Sequence, residues 1–160
     1  MTFKDTATRL VIRGGILLDQ TGERAGDVAI EDGRIVAVGD AVGAGLKGDT
    51  VLDAKGCVVS PGFVDLHVHL REPGKEEAET IETGSRAAAL GGFTAVVAMP
   101  NTDPAQDTVS VIEFVRAQGG KAGLCEVLPS GCITVGRGGT QLAPYAELAA
   151  AGVHLFTDDG

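Results

Sequence analysis

Short apolar runs broken by glycine and polar turns fill residues 9–59, and no helical period of apolar positions is sustained there. Residues 9–19 hold two apolar runs around Gly14-Gly15. Residues 27–39 hold two β-rich runs around Asp32-Gly33, a dipeptide that tolerates positive φ at both positions and so predicts a tight hairpin. Residues 51–59 read as two more short strands, and 43–48 as a loop. The sum predicts a small antiparallel β-subdomain over residues 1–60.

At Pro61-Gly62 the pattern changes. Residues 63–70 predict a strand, and 75–90 a helix closed by Gly91-Gly92. Residues 93–99 form a near-continuous apolar run, the pattern of a parallel strand covered on both faces. A second helix is predicted over 108–118, with Asp107 or Thr108 as N-cap and Gly119-Gly120 as its stop. Then come a strand at 123–128, a helix at 144–151 stopped by Gly152, and a fourth strand at 153–156. Four strands alternating with three helices predict a parallel α/β sheet over 61–160.

Composition narrows the class without changing this picture. A chain of 160 residues with 44% apolar and 22% charged residues has ordinary globular make-up, which excludes a disordered or fibrous protein. Lys+Arg 13 against Asp+Glu 22 gives 13 − 22 = −9, a field that opposes nucleic acid and anionic membrane. Three cysteines, Cys57, Cys125 and Cys132, are odd in number and form no CxxC pair, so a reducing cytoplasm is the expected home. The polar N-terminus carries no leader pattern, and no apolar run reaches the roughly 18 residues of a membrane span.

Three of the four predicted strands end in polar clusters, where parallel α/β sheets carry their chemistry. His67 and His69 are two apart on a strand and share a face, with Cβ atoms roughly 6–7 Å apart. That spacing lets two imidazoles converge on one ion at Zn–N distances of about 2.0–2.1 Å. Asp65 shares the face and is a candidate to orient one of the rings. A bare HxH is more often decoration, but here it lies on an apolar strand and runs into Arg71 and a Pro-Gly turn, where idle histidines are costly. Arg71 offers a planar fork for a substrate carboxylate; taken alone, a salt bridge to Glu72 or to the following helix explains it equally well. Asn101 can face a ligand or simply make the Pro-Asn-Thr-Asp-Pro turn. The Asp158-Asp159 doublet is a turn, or one of its carboxylates bridges metals. His154 reads as a hydrogen-bonded core or interface residue. Cys125 and Cys132 read as buried thiols, the acidic run 72–82 as a solvated helix face, and Gly136-Arg-Gly-Gly139 as a loop without a nucleotide fingerprint.

Pro61-Gly-Phe-Val-Asp-Leu-His-Val-His-Leu-Arg-Glu-Pro-Gly74 resembles the metal-binding signature of the amidohydrolase superfamily, and within it of class I bacterial dihydroorotases. Ala98-Met-Pro-Asn-Thr102 and Phe156-Thr-Asp-Asp-Gly160 resemble two further motifs of that family, in order. The resemblance implies the first half of a (β/α)8 TIM-like barrel, residues 61–160 being its first four β/α units, preceded by the β-subdomain. It implies zinc, one or two ions per site, held by His67, His69 and Asp159, the member of the doublet that keeps the family's separation from His67. It implies that Arg71 and Asn101, together with His69, grip the substrate. The implied reaction is the reversible hydrolysis of dihydroorotate to N-carbamoyl-L-aspartate in pyrimidine synthesis, zinc activating water and polarising the amide carbonyl. No carboxylated lysine is expected, since no Lys follows Lys121.

Hydantoinases and allantoinases share the scaffold and the HxH; the Arg two residues after the second histidine tilts the reading to dihydroorotase, whose substrate carries a carboxylate. By the same resemblance, further histidine ligands and the acid–base aspartate belong to later strands, so these 160 residues alone are expected to be inactive, as a fragment or a truncated protein. A non-catalytic dihydroorotase-like scaffold of aspartate transcarbamoylase is the competing expectation, and a homo-oligomer is the other assembly considered. The intact His67, His69, Arg71 and Asn101 speak for the enzyme.

Overall fold

The computed structural model describes residues 9–42 and 50–159; the expected loop at 43–48 and Gly160 lie outside them. Contacts divide the chain into two compact units, Met1–Pro61 and Gly62–Gly160. No helix among the described residues is long and apolar enough to cross a membrane.

The first unit is one five-stranded sheet. Strands β1 (Arg9–Asp19), β2 (Gly22–Glu31) and β3 (Arg34–Gly39) run as an antiparallel meander. The β2–β3 turn has Asp32 at φ 50° and Gly33 at φ 74°, the positive pair that the hairpin signal requires. The two runs around Gly14-Gly15 are one strand, bent by a bulge where the Gly14 amide donates to the buried Asp27 carboxylate at 2.8 Å. β4 (Thr50–Asp53) and β5 (Val58–Val59) pair with the free edge of β1, but parallel to it. The sheet is therefore mixed and not purely antiparallel, because β4 and β5 run in the direction of β1 and not against it.

The second unit is α/β. β6 (Phe63–Val68), β7 (Phe93–Ala98) and β8 (Glu126–Pro129) form a parallel sheet in that order, linked by helices α1 (Ile81–Leu90) and α2 (Val109–Ala122). Leu70, Ile81, Val96, Ala98, Val115 and Val127 form the core between sheet and helices. A second cluster joins Ile112 to Ala143, Leu148 and Val153 around α3 (Tyr145–Ala150).

Four local expectations need correction. The first helix begins at Ile81, not at 75: Thr80 is extended (φ −111°, ψ 162°) and forms a reciprocal capping box with Thr83, while the Glu72 carboxylate accepts from the Ile81 amide at 2.7 Å. Only Glu82 of the acidic run therefore sits within the helix. The second helix runs through Gly119-Gly120 to a left-handed Gly123. The strand expected at 123–128 starts at Glu126 and reaches Pro129. The strand expected at 153–156 is reduced to one parallel bridge, Gly131 to Phe156, since β8 ends at a proline that has no amide to continue the ladder.

Gly119 is a packing glycine. A Cβ there would stand 2.6 Å from the Val127 Cβ, whereas one on Gly120 meets nothing within 4 Å. Gly120→Ala is expected to stabilise the protein by about 0.5–1 kcal/mol through helix propensity. Gly119→Ala is expected to destabilise it by about 1 kcal/mol net, since overpacking outweighs that gain. Urea midpoints check the pair, and equal shifts of the same sign would show that α2 does not need its close approach to β8.

Candidate metal centre

The strand end of β6 presents its histidines as their spacing predicts. His67 is the penultimate residue of β6, and His69 lies one residue beyond its end. The two rings stand 5.3 Å apart between centroids, edge to face at 70°. Ninety residues on, Asp159 meets both: its Oδ1 lies 3.2 Å from His67 Nε2, and its Oδ2 lies 3.7 Å from His69 Nε2. One ligand atom from each of the three lies within 4.8 Å of the others, the one such group of three among the described residues.

The hydrogen bonds around the cluster settle one tautomer. The Asp159 carboxylate can only accept, so the Asn101 amide nitrogen faces it, at 3.2 Å from Oδ2. Asn101 Oδ1 is then left for His69 Nδ1, at 3.0 Å, and Nδ1 must carry the proton. In the neutral imidazole His69 Nε2 is then a lone pair facing a carboxylate oxygen at 3.7 Å. Two lone pairs set face to face repel unless a proton or a metal cation lies between them, and imidazole with carboxylate suits a borderline divalent ion such as zinc. The donor set fits a metal.

Asp65 does not take the expected part: its carboxylate accepts from the His67 backbone amide at 3.0 Å. Asn101 is the group that orients a ring. Asp158 faces away from the histidines, accepting from the Ile133 and Thr134 amides and the Thr134 hydroxyl. That hydroxyl is the foremost cause holding its carboxyl below the ordinary value, with the two amides adding to it. The doublet is thus divided, Asp159 towards the histidines and Asp158 towards the loop.

Arg71 sits at φ 59°, in a tight three-residue turn closed by the Glu72 amide on the Leu70 carbonyl at 2.7 Å. Left-handed backbone costs a non-glycine residue on the order of 1 kcal/mol or more. Glu72, its nearest acidic neighbour in sequence, is engaged by the Ile81 amide. Among the described residues, the Arg71 guanidinium has no ion-pair or hydrogen-bond partner. Gly74 follows at φ 102°, where a Cβ would stand 2.1 Å from the Asp103 carbonyl oxygen. The Asp103 amide donates to Pro73 at 2.9 Å, which ties the turn carrying Arg71 to the turn carrying Asn101.

The bland expectations divide. Cys132 is fully buried, and burial foremost pushes its thiol up to about 12, with Asp107 and Asp158 adding to it. Cys125 is only partly buried, against the sheet core. His154 is exposed and not a core residue, since its neighbour Val153 takes the inward position. Sequence reasoning passed over Thr134 and Arg137, and no local signal marks them, because their contacts to 158–159 span more than twenty residues.

The family model described as dihydro-orotase-like matches residues 56–160. The chain is 50% identical over 153 residues to a dihydroorotase of Anaeromyxobacter dehalogenans (strain 2CP-C), covering 94% of the chain and 35% of that relative. It is 42% identical over 154 residues to a dihydroorotase of Aquifex aeolicus (strain VF5), covering 95% and 36%. Among solved structures, the L-hydantoinase (dihydropyrimidinase) from Arthrobacter aurescens aligns at TM-score 0.76 and 24% identity, over 92% of this chain and 32% of that one, a likeness of fold. The chain spans about a third of the length of the curated relatives it matches.

Proposed function

We propose, for a chain that belongs to the dihydro-orotase-like family, that it supplies the first barrel strands and part of the metal site of a zinc-dependent dihydroorotase. The protein at the length of its relatives would open the ring of dihydroorotate to N-carbamoyl-L-aspartate and close it again. The observation that carries the reading is the convergence of His67, His69 and Asp159 at one strand end. A divalent ion held there supplies Lewis-acid activation of water and of the scissile amide carbonyl.

The chain's own residues have separable parts in this reading. His67 and His69 donate through Nε2, and Asp159 through its carboxylate. Asn101 keeps the His69 proton on Nδ1 and holds Asp159 Oδ2. Arg71 takes the substrate carboxylate; its strained turn and a guanidinium unpaired among the described residues support that part, because a partner already in place would have to be displaced first. The half-barrel reading is supported by β6, where Phe63, Val64 and Leu66 are each more than half exposed. A parallel strand with that much bare apolar surface is one that further strands or helices cover. The free thiols Cys57, Cys125 and Cys132 support a reducing cytoplasm.

The test is turnover by the protein at its relatives' length, with dihydroorotate, hydantoin and allantoin in parallel. Dihydroorotate is expected to be preferred on the order of 100-fold or more in kcat/KM, since a site built for a carboxylate is left unpaired by analogues that lack one. Preference for hydantoin would replace the substrate assignment while keeping the reaction type. No turnover of any cyclic amide by the metal-loaded protein would favour a scaffold.

A further inference from the structure

Asp159 can face the histidines only if the chain before it is held, and the holding is done by one loop. That loop surrounds the short 3₁₀ turn Val135–Arg137. Asp158 Oδ1 accepts from the Ile133 amide at 2.8 Å and the Thr134 amide at 3.0 Å, and its Oδ2 accepts from the Thr134 hydroxyl at 2.6 Å. One residue further on, Arg137 Nη1 donates to the backbone carbonyl of Asp159 at 2.6 Å. The loop is itself pinned, since the Gly136 amide donates to Asp107 at 2.7 Å and the Gly139 amide to the Thr134 hydroxyl at 2.9 Å.

Arg137 is in an unfavourable state for a residue that merely fills a loop. Its backbone is left-handed at φ 59°, and its Nε is buried without a partner among the described residues. Both features are tolerated where the surrounding structure over-determines them, as at functional sites. The contact made in return is to the main chain of the candidate ligand. Two adjacent carboxylates are otherwise interchangeable, and either could swing towards the histidines.

We propose that Arg137 and Thr134 form a positioning pair that selects Asp159 over Asp158 as the carboxylate of the metal centre. Thr134 holds Asp158 out, and Arg137 fixes the Asp159 carbonyl, so Asp159 keeps only its side-chain torsions free. Asn101 then restricts those. The inference rests on the metal reading of His67, His69 and Asp159. Neither positioning residue touches the ion, so its effect is on affinity through geometry, typically 10- to 100-fold for groups that orient ligands.

The experiment measures Zn²⁺ affinity of the metal-stripped protein by competition with a chromogenic chelator, beside the melting temperature of the metal-free form. Arg137→Met is expected to bind about 10-fold more weakly with little change in metal-free melting, and Arg137→Lys, which keeps a cationic donor, to recover most of the loss. Asp159→Ala tests the underlying reading separately: unchanged affinity in that variant would remove the metal site itself. Weakened Asp159→Ala beside an Arg137→Met of wild-type affinity would overturn the positioning role alone. Equal losses in Arg137→Met and Arg137→Lys, tracking a lowered melting temperature, would show a merely structural arginine and also overturn it. If Arg137→Met does not fold, Thr134→Val decides, with weaker Zn²⁺ binding expected and unchanged affinity counting against the pair.

Discussion

Bound divalent metal is expected to fall to background when His67 and His69 are both replaced by alanine. Of the three donors that these residues bring together, the two rings supply two, and Asp159 alone has no geometry to hold an ion against a chelator. The fold should survive the change. The His67 side chain is 57% exposed and that of His69 31% exposed, so little packing is lost with them. Elemental analysis of the purified protein and its variant is the measurement. Equal metal content in the two, with equal melting, would show that the triangle of side chains is an ordinary hydrogen-bonded cluster. A loss confined to cobalt or manganese with zinc retained would place the zinc elsewhere.

Arg71→Met is expected to cost most of the activity on dihydroorotate and far less on a hydantoin without a carboxylate. A charge-assisted, two-pronged contact to a carboxylate is worth about 1.5–3 kcal/mol or more, roughly 10- to 150-fold in kcat/KM. Methionine keeps the length and apolar stem of the side chain, so the loss isolates the charge. Arg71→Lys should recover only part of it, because an ammonium is a point donor and not a fork. Loss in KM with kcat held would mark a group that binds ground and transition states alike. Parallel losses on both substrates would instead show that Arg71 serves the strained turn between β6 and α1 and not the ligand.

Much of this site is legible in the amino-acid sequence. The HxH spacing on an apolar strand determines that two imidazoles share a face, because strand side chains alternate with period two. Asp32-Gly33 determines its hairpin through positive φ, and the apolar run at 93–99 determines a parallel strand, of which Val96, Val97 and Ala98 are buried. Local rules failed where a distant group intervened. Residues 75–79 have helical composition, yet the helix waits for Ile81, whose amide is met by Glu72 from nine residues away. Gly119-Gly120 looks like a stop, yet the helix continues, because Gly119 gains a close approach to Val127 of β8.

The same division runs through the chemistry. The amino-acid sequence by itself determined which side chains could bind a metal or a carboxylate, since that is a property of residue type and short-range spacing. Residue type and short-range spacing left Asp158 and Asp159 open, with the family resemblance pointing to Asp159, and they did not assign Asn101 rather than Asp65 to orient an imidazole. Those outcomes hang on contacts between residues 22 to 58 positions apart, His69 to Asn101, Asn101 to Asp159, Thr134 to Asp158 and Arg137 to Asp159. Only the folded sheet brings such residues together. A hydrogen bond also depends on which partner can donate, so the acceptor-only carboxylate of Asp159 settled the Asn101 orientation and the His69 proton only once the three stood within reach of one another.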